Sequence, residues 1–109
     1  METESALSML AALAHPTRLA TFRLLVQHEP QGLSTGQLVE ASGLTQSTFS
    51  THLAVLAKAG LVISEKRGRY QIQRVSIDDF RGLMLFLAKD CCQGRSDLCE
   101  PLLAELTCR

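Results

Sequence analysis

Cys91, Cys92 and Cys99 are the residues of this chain best equipped for chemistry. Two thiols stand side by side and a third follows after QGRSDL, a CC-x₆-C spacing. Thiolates favour soft, thiophilic ions. Zinc asks for four ligands in a tetrahedron and usually takes thiolate pairs spaced C-x₂₋₄-C, which this set does not offer. A trivalent arsenic or antimony centre bonds three sulfurs in a pyramid and suits the trio better. Cys108, near the end of the sequence, reads as incidental. Adjacent thiols also permit oxidation or persulfidation, and that redox alternative stays open beside zinc or cadmium sensing.

Catalysis by these thiols fits poorly. A nucleophilic cysteine needs an activating environment. The chain has no C-x-x-C redox pair, and the C-terminal end of a helix opposes thiolate formation through its negative dipole. A thiol-dependent reductase is the remote alternative; the chain reads as a binding protein and not an enzyme.

The elements that must position the trio come next. Ser76 and Asp79 mark a helix start, and Phe80, Leu83, Met84 and Leu87 form one stripe that Leu85 and Phe86 widen. If that helix continues, Cys91 extends the stripe and Cys92 lies 100° around it. Gly94 then lets the chain turn and bring Cys99 back, and Pro101 opens a short final turn. At the other end, residues 6–14 (ALSMLAALA) are apolar almost all round. Two helices with more apolar surface than one domain needs predict a homodimer paired through its terminal helices.

Between them, residues 34–60 read as a helix–turn–helix. Ser34 with Gln37 is a capping-box start and Gly43 a helix stop. A second helix starts around Thr45 and ends before Gly60, with Phe49, Leu53 and Leu56 as its buried stripe. Ser47, Ser50, Thr51, Ala54 and Lys58 fall on the outer face, small and hydroxyl-bearing. Such side chains let a helix approach a groove floor and meet donors or acceptors on base edges. Gln46 and Thr48 join this candidate DNA-binding set. Upstream, Pro16 opens a helix whose expected buried face is Leu19, Phe22, Leu25 and Val26.

After Gly60 the period changes to two. Leu61, Ile63, Tyr70 and Ile72 alternate with polar residues around Lys66-Arg67-Gly68-Arg69, which predicts a β-hairpin with a basic tip. Lys66, Arg67 and Arg69 are the candidate phosphate contacts. The fold class expected is mainly α with a small β-hairpin, a winged helix–turn–helix in the order α-α-α-α-β-β-α. Net charge is zero over 109 residues. Between residues 44 and 75, however, Lys58, Lys66, Arg67, Arg69 and Arg74 face only Glu65. That is a local footprint for double-stranded DNA on a neutral chain.

The length fits a single domain, 1–109, with residues 88–109 as an inducer-binding segment. Neither a signal-peptide pattern nor a membrane-length apolar run is present, so the expected address is cytoplasmic with no membrane partner.

Over residues 6 to about 87 the chain resembles the ArsR/SmtB family of metalloregulatory repressors. ALAHPTRLATFRLL is similar to the family's second-helix signature, and LTQSTFSTHLAVLAKAGLV to its recognition helix and first wing strand. Thr51-His52 stands where many members carry a His-His pair; His52 reads as structural and Thr51 as the contact. TGQLVEASG lacks the cysteine of one familiar sensor site, and residues 77–90 lack the histidine of another. The Cys91/Cys92/Cys99 pattern resembles the C-terminal inducer site of an arsenite-responsive branch. The resemblance therefore implies a homodimeric repressor that binds operator DNA without a cofactor and releases it on taking up arsenite or antimonite.

Overall fold

Several helix boundaries in this chain are set by residues that satisfy free backbone groups. The computed structural model describes residues 1–90 together with Pro101, Ala104 and Glu105. The first helix, α1 (Thr3–Leu13), gives way to α2 (Pro16–Gln27) at His15. The His15 ring accepts from the Thr17 amide at 3.1 Å, and Pro16, with no N–H to satisfy, takes the first helical position. A short strand, β1 (Leu33–Ser34), leads into α3 (Thr35–Ser42) and then α4 (Gln46–Lys58). The capping box is complete: the Gln37 amide donates to the Ser34 hydroxyl at 3.1 Å, and the Ser34 amide to Gln37 Oε1 at 2.9 Å. Gly43 closes α3 at φ 71°, a left-handed position suited to glycine. The Thr45 side chain caps α4 through the Thr48 amide.

Strands β2 (Val62–Arg67) and β3 (Tyr70–Val75) form the wing, and β1 pairs with β3 to make a three-stranded antiparallel sheet ordered β1-β3-β2. The winged helix–turn–helix is as expected, with β1 added. Two residues are too few to show a period. The final helix, α5 (Ile77–Leu85), runs into a π-helical turn at Phe86–Asp90. Phe49, Leu25, Leu38, Leu56, Leu61, Leu83 and Val75 are the largest fully buried side chains. The Phe22 and Phe80 rings, 5.1 Å apart between centroids, fasten α5 to α2.

Three expected faces are turned. On α2, Leu19 and Val26 are exposed, and Thr21 is buried in their place. Val26 sits 100° from Leu25, and the buried arc runs the other way, toward Thr21. Thr21 enters without losing a hydrogen bond because its hydroxyl donates to the Thr17 carbonyl at 2.8 Å. In the wing, Ile63 and Tyr70 point outward while Val62, Gln73 and Val75 are buried. Leu61 fills the core from the turn before the strand, where its amide bonds the Leu56 carbonyl, and that one-residue offset exchanges the two faces. On the last helix, Leu87 is exposed, because the π turn steps it off the Phe80–Leu83 stripe. Ser76 precedes α5 but its hydroxyl bonds the Asp79 carboxylate and caps no amide.

Among the described residues, no helix is long and apolar enough to cross a membrane.

Candidate nucleic-acid interface

The second helix of the helix–turn–helix presents a hydroxyl-rich face that ends in one cation, Lys58. Gln46, Ser47, Thr48, Ser50, Thr51, Ala54 and Lys58 are all exposed, while Phe49 and Leu56 anchor the opposite side in the core. Local hydrogen bonds orient part of this face. Thr45 donates to the Thr48 hydroxyl at 3.0 Å, and Thr51 donates to the Ser47 carbonyl at 3.2 Å. Thr51, its proton committed, offers a lone pair and its methyl group outward, whereas Thr48 accepts from Thr45 and keeps its own O–H as a donor. The Gln46 and Ser50 side chains make no hydrogen bond within the described residues and keep full donor and acceptor capacity. Such a set meets amino and carbonyl groups on base edges and the thymine methyl.

His52 belongs to the flank of α4. It is half-buried, with its ring 4.3 Å from that of His15 and Nδ1 accepting from Arg18 at 3.3 Å. Burial, then His15, then the Arg18 cation hold its pKa below the usual imidazole value. Those contacts give His52 a structural occupation, as its position on the helical wheel suggests.

The three cations at the wing tip are not equivalent. Lys66 and Arg69 are exposed and form no ion pair among the described residues. Arg67 instead donates from Nε and Nη2 to Glu65 Oε2, at 3.3 and 3.1 Å, and from Nη1 to the Gln31 carbonyl at 2.9 Å. Glu65 also accepts from Arg74 at 2.7 Å, and Arg74 forks onto both oxygens of Glu29. The two arginines lower the Glu65 pKa, Arg74 more than Arg67; the Arg74 guanidinium is driven in the opposite direction, upward, by Glu29 and Glu65. In the sequence alone Glu65 stands only as one negative charge among the wing cations. Its place two residues before Arg67, on the same strand face, was the available signal.

Cys91, Cys92, Cys99 and Cys108 lie outside the described residues. Within those residues, no group of three or more His, Cys, Asp or Glu side chains is placed to hold a metal ion. His15 and His28 sit at the two ends of α2.

Known proteins resemble the chain as follows. A helix-turn-helix domain family matches residues 13–65. The transcriptional activator HlyU of Vibrio cholerae is 33% identical over 86% of both chains. The regulator CmtR of Mycobacterium tuberculosis is 45% identical over 61% of this chain, which spans 54% of CmtR. Among solved structures, a homodimeric winged helix-turn-helix DNA-binding domain from Mycobacterium bovis, described as a possible ArsR-family regulator, has a TM-score of 0.65 at 27% identity, covering 77% of this chain and 76% of that one. A possible transcriptional regulator for arsenical resistance gives 0.64 at 28% identity over 92% and 97%. Reduced HlyU gives 0.63 at 30% identity over 77% and 88%.

Proposed function

The chain belongs to the ArsR/SmtB family of helix–turn–helix transcriptional regulators, and from that premise we propose an arsenite-responsive, homodimeric repressor. Two copies pair through α1 and α5 and lay their α4 helices into successive major grooves of a two-fold operator. Gln46, Ser47, Thr48, Ser50 and Thr51 meet base edges and nearby backbone, while Lys58, Lys66 and Arg69 meet phosphates. The observation that carries the DNA reading is the outward face of α4, wholly exposed and made of small polar side chains on a helix whose other side is core.

Cys91, Cys92 and Cys99 take up trivalent arsenic or antimony as three thiolates. Drawing Cys99 onto the adjacent pair fixes the end of the pairing helix and alters the separation of the two recognition helices. To empty the operator almost completely the ion must favour the released state by roughly 5 kcal/mol. The similarity to a possible regulator for arsenical resistance supports this reading. No cofactor is required for DNA binding.

A second reading keeps the fold and replaces the ion with oxidation of the vicinal thiols, and the likeness to reduced HlyU favours it. One experiment separates them. An operator recovered by selection from random duplexes is titrated with the reduced protein in the presence of arsenite, zinc or peroxide. Release by arsenite alone supports the proposal; release by peroxide alone gives the redox reading; unchanged affinity under all three rejects both.

A further inference from the structure

The described residues contain a closed chain of charges on the wing that neither the reading face nor the cysteine trio uses. It starts at Glu29 in the loop after α2, passes through Arg74 on β3 to Glu65 and Arg67 on β2, and ends at the Gln31 carbonyl in the same loop. The register explains how: Ile63 pairs with Arg74, Glu65 with Ile72 and Arg67 with Tyr70, so Glu65, Arg67 and Arg74 share one sheet face. On the opposite face, Ser64 donates to buried Gln73 at 2.6 Å, and Gln73 donates to Thr35 in α3 at 3.1 Å. The wing is thus held on one side to the α2–α3 loop and on the other to the helix–turn–helix. A lone exposed ion pair adds little, whereas a network with forked arginine contacts holds geometry.

We infer that Glu65 is a positioning residue of the DNA-binding surface: it withholds Arg67 from DNA and fixes the angle of the wing, leaving Lys66 and Arg69 as the wing's phosphate contacts. This rests on the DNA-binding reading above. An arginine whose charge and donors are taken up by a fixed carboxylate neutralises no phosphate, so it displaces none of the cations condensed on the DNA. Arg74 stays paired with the Glu29 carboxylate when Glu65 is neutralised, whereas Arg67 keeps only the uncharged Gln31 carbonyl, so Arg67 is the cation released for a phosphate.

The test is the salt dependence of binding to a labelled mixed-sequence duplex, read as the slope of log affinity against log salt. Lys66→Gln and Arg69→Gln each flatten the slope by about 0.9 per chain, the loss of one phosphate contact. Arg67→Gln changes it by less than half as much. Glu65→Gln steepens it, and the gain disappears in the Glu65→Gln/Arg67→Gln double variant. Flattening by Arg67→Gln as large as by Lys66→Gln overturns the inference, as does a Glu65→Gln gain that survives in the double variant. Amide hydrogen exchange without DNA gives an independent readout. Glu65→Gln accelerates exchange in β2 and β3 but not in α4; an unchanged wing overturns the positioning role. A wild-type chain indifferent to the duplex sinks the DNA-binding reading, and the exchange pattern still decides how Glu65 acts on the wing.

Discussion

The ring of His15, which caps α2, lies 4.3 Å from the ring of His52 on the recognition helix, tilted by 37°. Arg18 donates to the same His52 ring, so protonating His52 would place a charge in a half-buried site, against His15 and then against the Arg18 cation. Its lowered pKa means that the unfolded chain takes up the proton first as pH falls. The stabilisation is therefore present above about pH 6.5 and is lost as pH drops through the lowered value. Urea midpoints measured between pH 5 and 8 are expected to fall on the acid side. In His52→Gln that dependence should become shallower, and an identical pH profile would count against the pair.

Gly32 has φ 76° and runs against β3, where an added Cβ would come within 2.5 Å of the Gln73 carbonyl oxygen. Gly32→Ala should cost roughly 2 kcal/mol or more in chemical denaturation. Gly36→Ala, whose Cβ would meet only the Ser34 hydroxyl at 3.9 Å, should stay within about 1 kcal/mol of wild type. Equal effects at the two positions would contradict the close approach.

Thr45 caps α4 and also donates to the Thr48 hydroxyl. Thr45→Ala should lower stability by about 1 kcal/mol and weaken operator binding beyond what the stability loss explains, because Thr48 loses its orientation. Thr45→Ser, which keeps the oxygen, should restore both.

Leu7 and Leu10 on α1 and Leu85 and Leu87 at the end of the chain's described helices are exposed, Leu7 by 59% and Leu85 by 51%. If these leucines pair two copies, Leu7→Glu/Leu85→Glu should yield a monomer by light scattering with its helical content retained. DNA affinity should fall with it, since a single half-site remains. A dimer that persists in this variant places the contact elsewhere.

For the thiols, Cys91→Ser, Cys92→Ser and Cys99→Ser are each expected to retain operator binding and lose release by arsenite. Cys108→Ser should respond like wild type. Loss of response in Cys108→Ser alone would redraw the ligand set.

Local chemistry was readable in the sequence because its partners lie within four residues of one another. Ser34 with Gln37, Thr45 as a cap, Pro16 after His15 and the Gly43 stop all sit where residue type and spacing predict. The outer face of α4 was equally legible, since one long periodic helix fixes which residues look away from the core. The wing was not. Whether Val62 or Ile63 faces inward depends on how Leu61 leaves α4, a one-residue difference that alternation cannot resolve. The Glu29–Arg74 contact joins residues 45 apart and leaves no periodic trace. The π turn at Phe86–Asp90 follows from no breaker residue, and it limits how far a face drawn from Phe80 and Leu83 extends toward Cys91.

Arg18 has one more consequence. Its guanidinium donates to the Ala11 and Ala12 carbonyls at the end of α1 while a third nitrogen reaches His52 in the middle of α4. One flat, inflexible group thus clamps the helix available for pairing to the helix available for reading. In a pair of copies joined through α1, neither helix could shift without dragging the other along. A signal that tilts one of these helices would then be passed on as a swing of whole subunits about their shared seam, as two blades turn about a rivet.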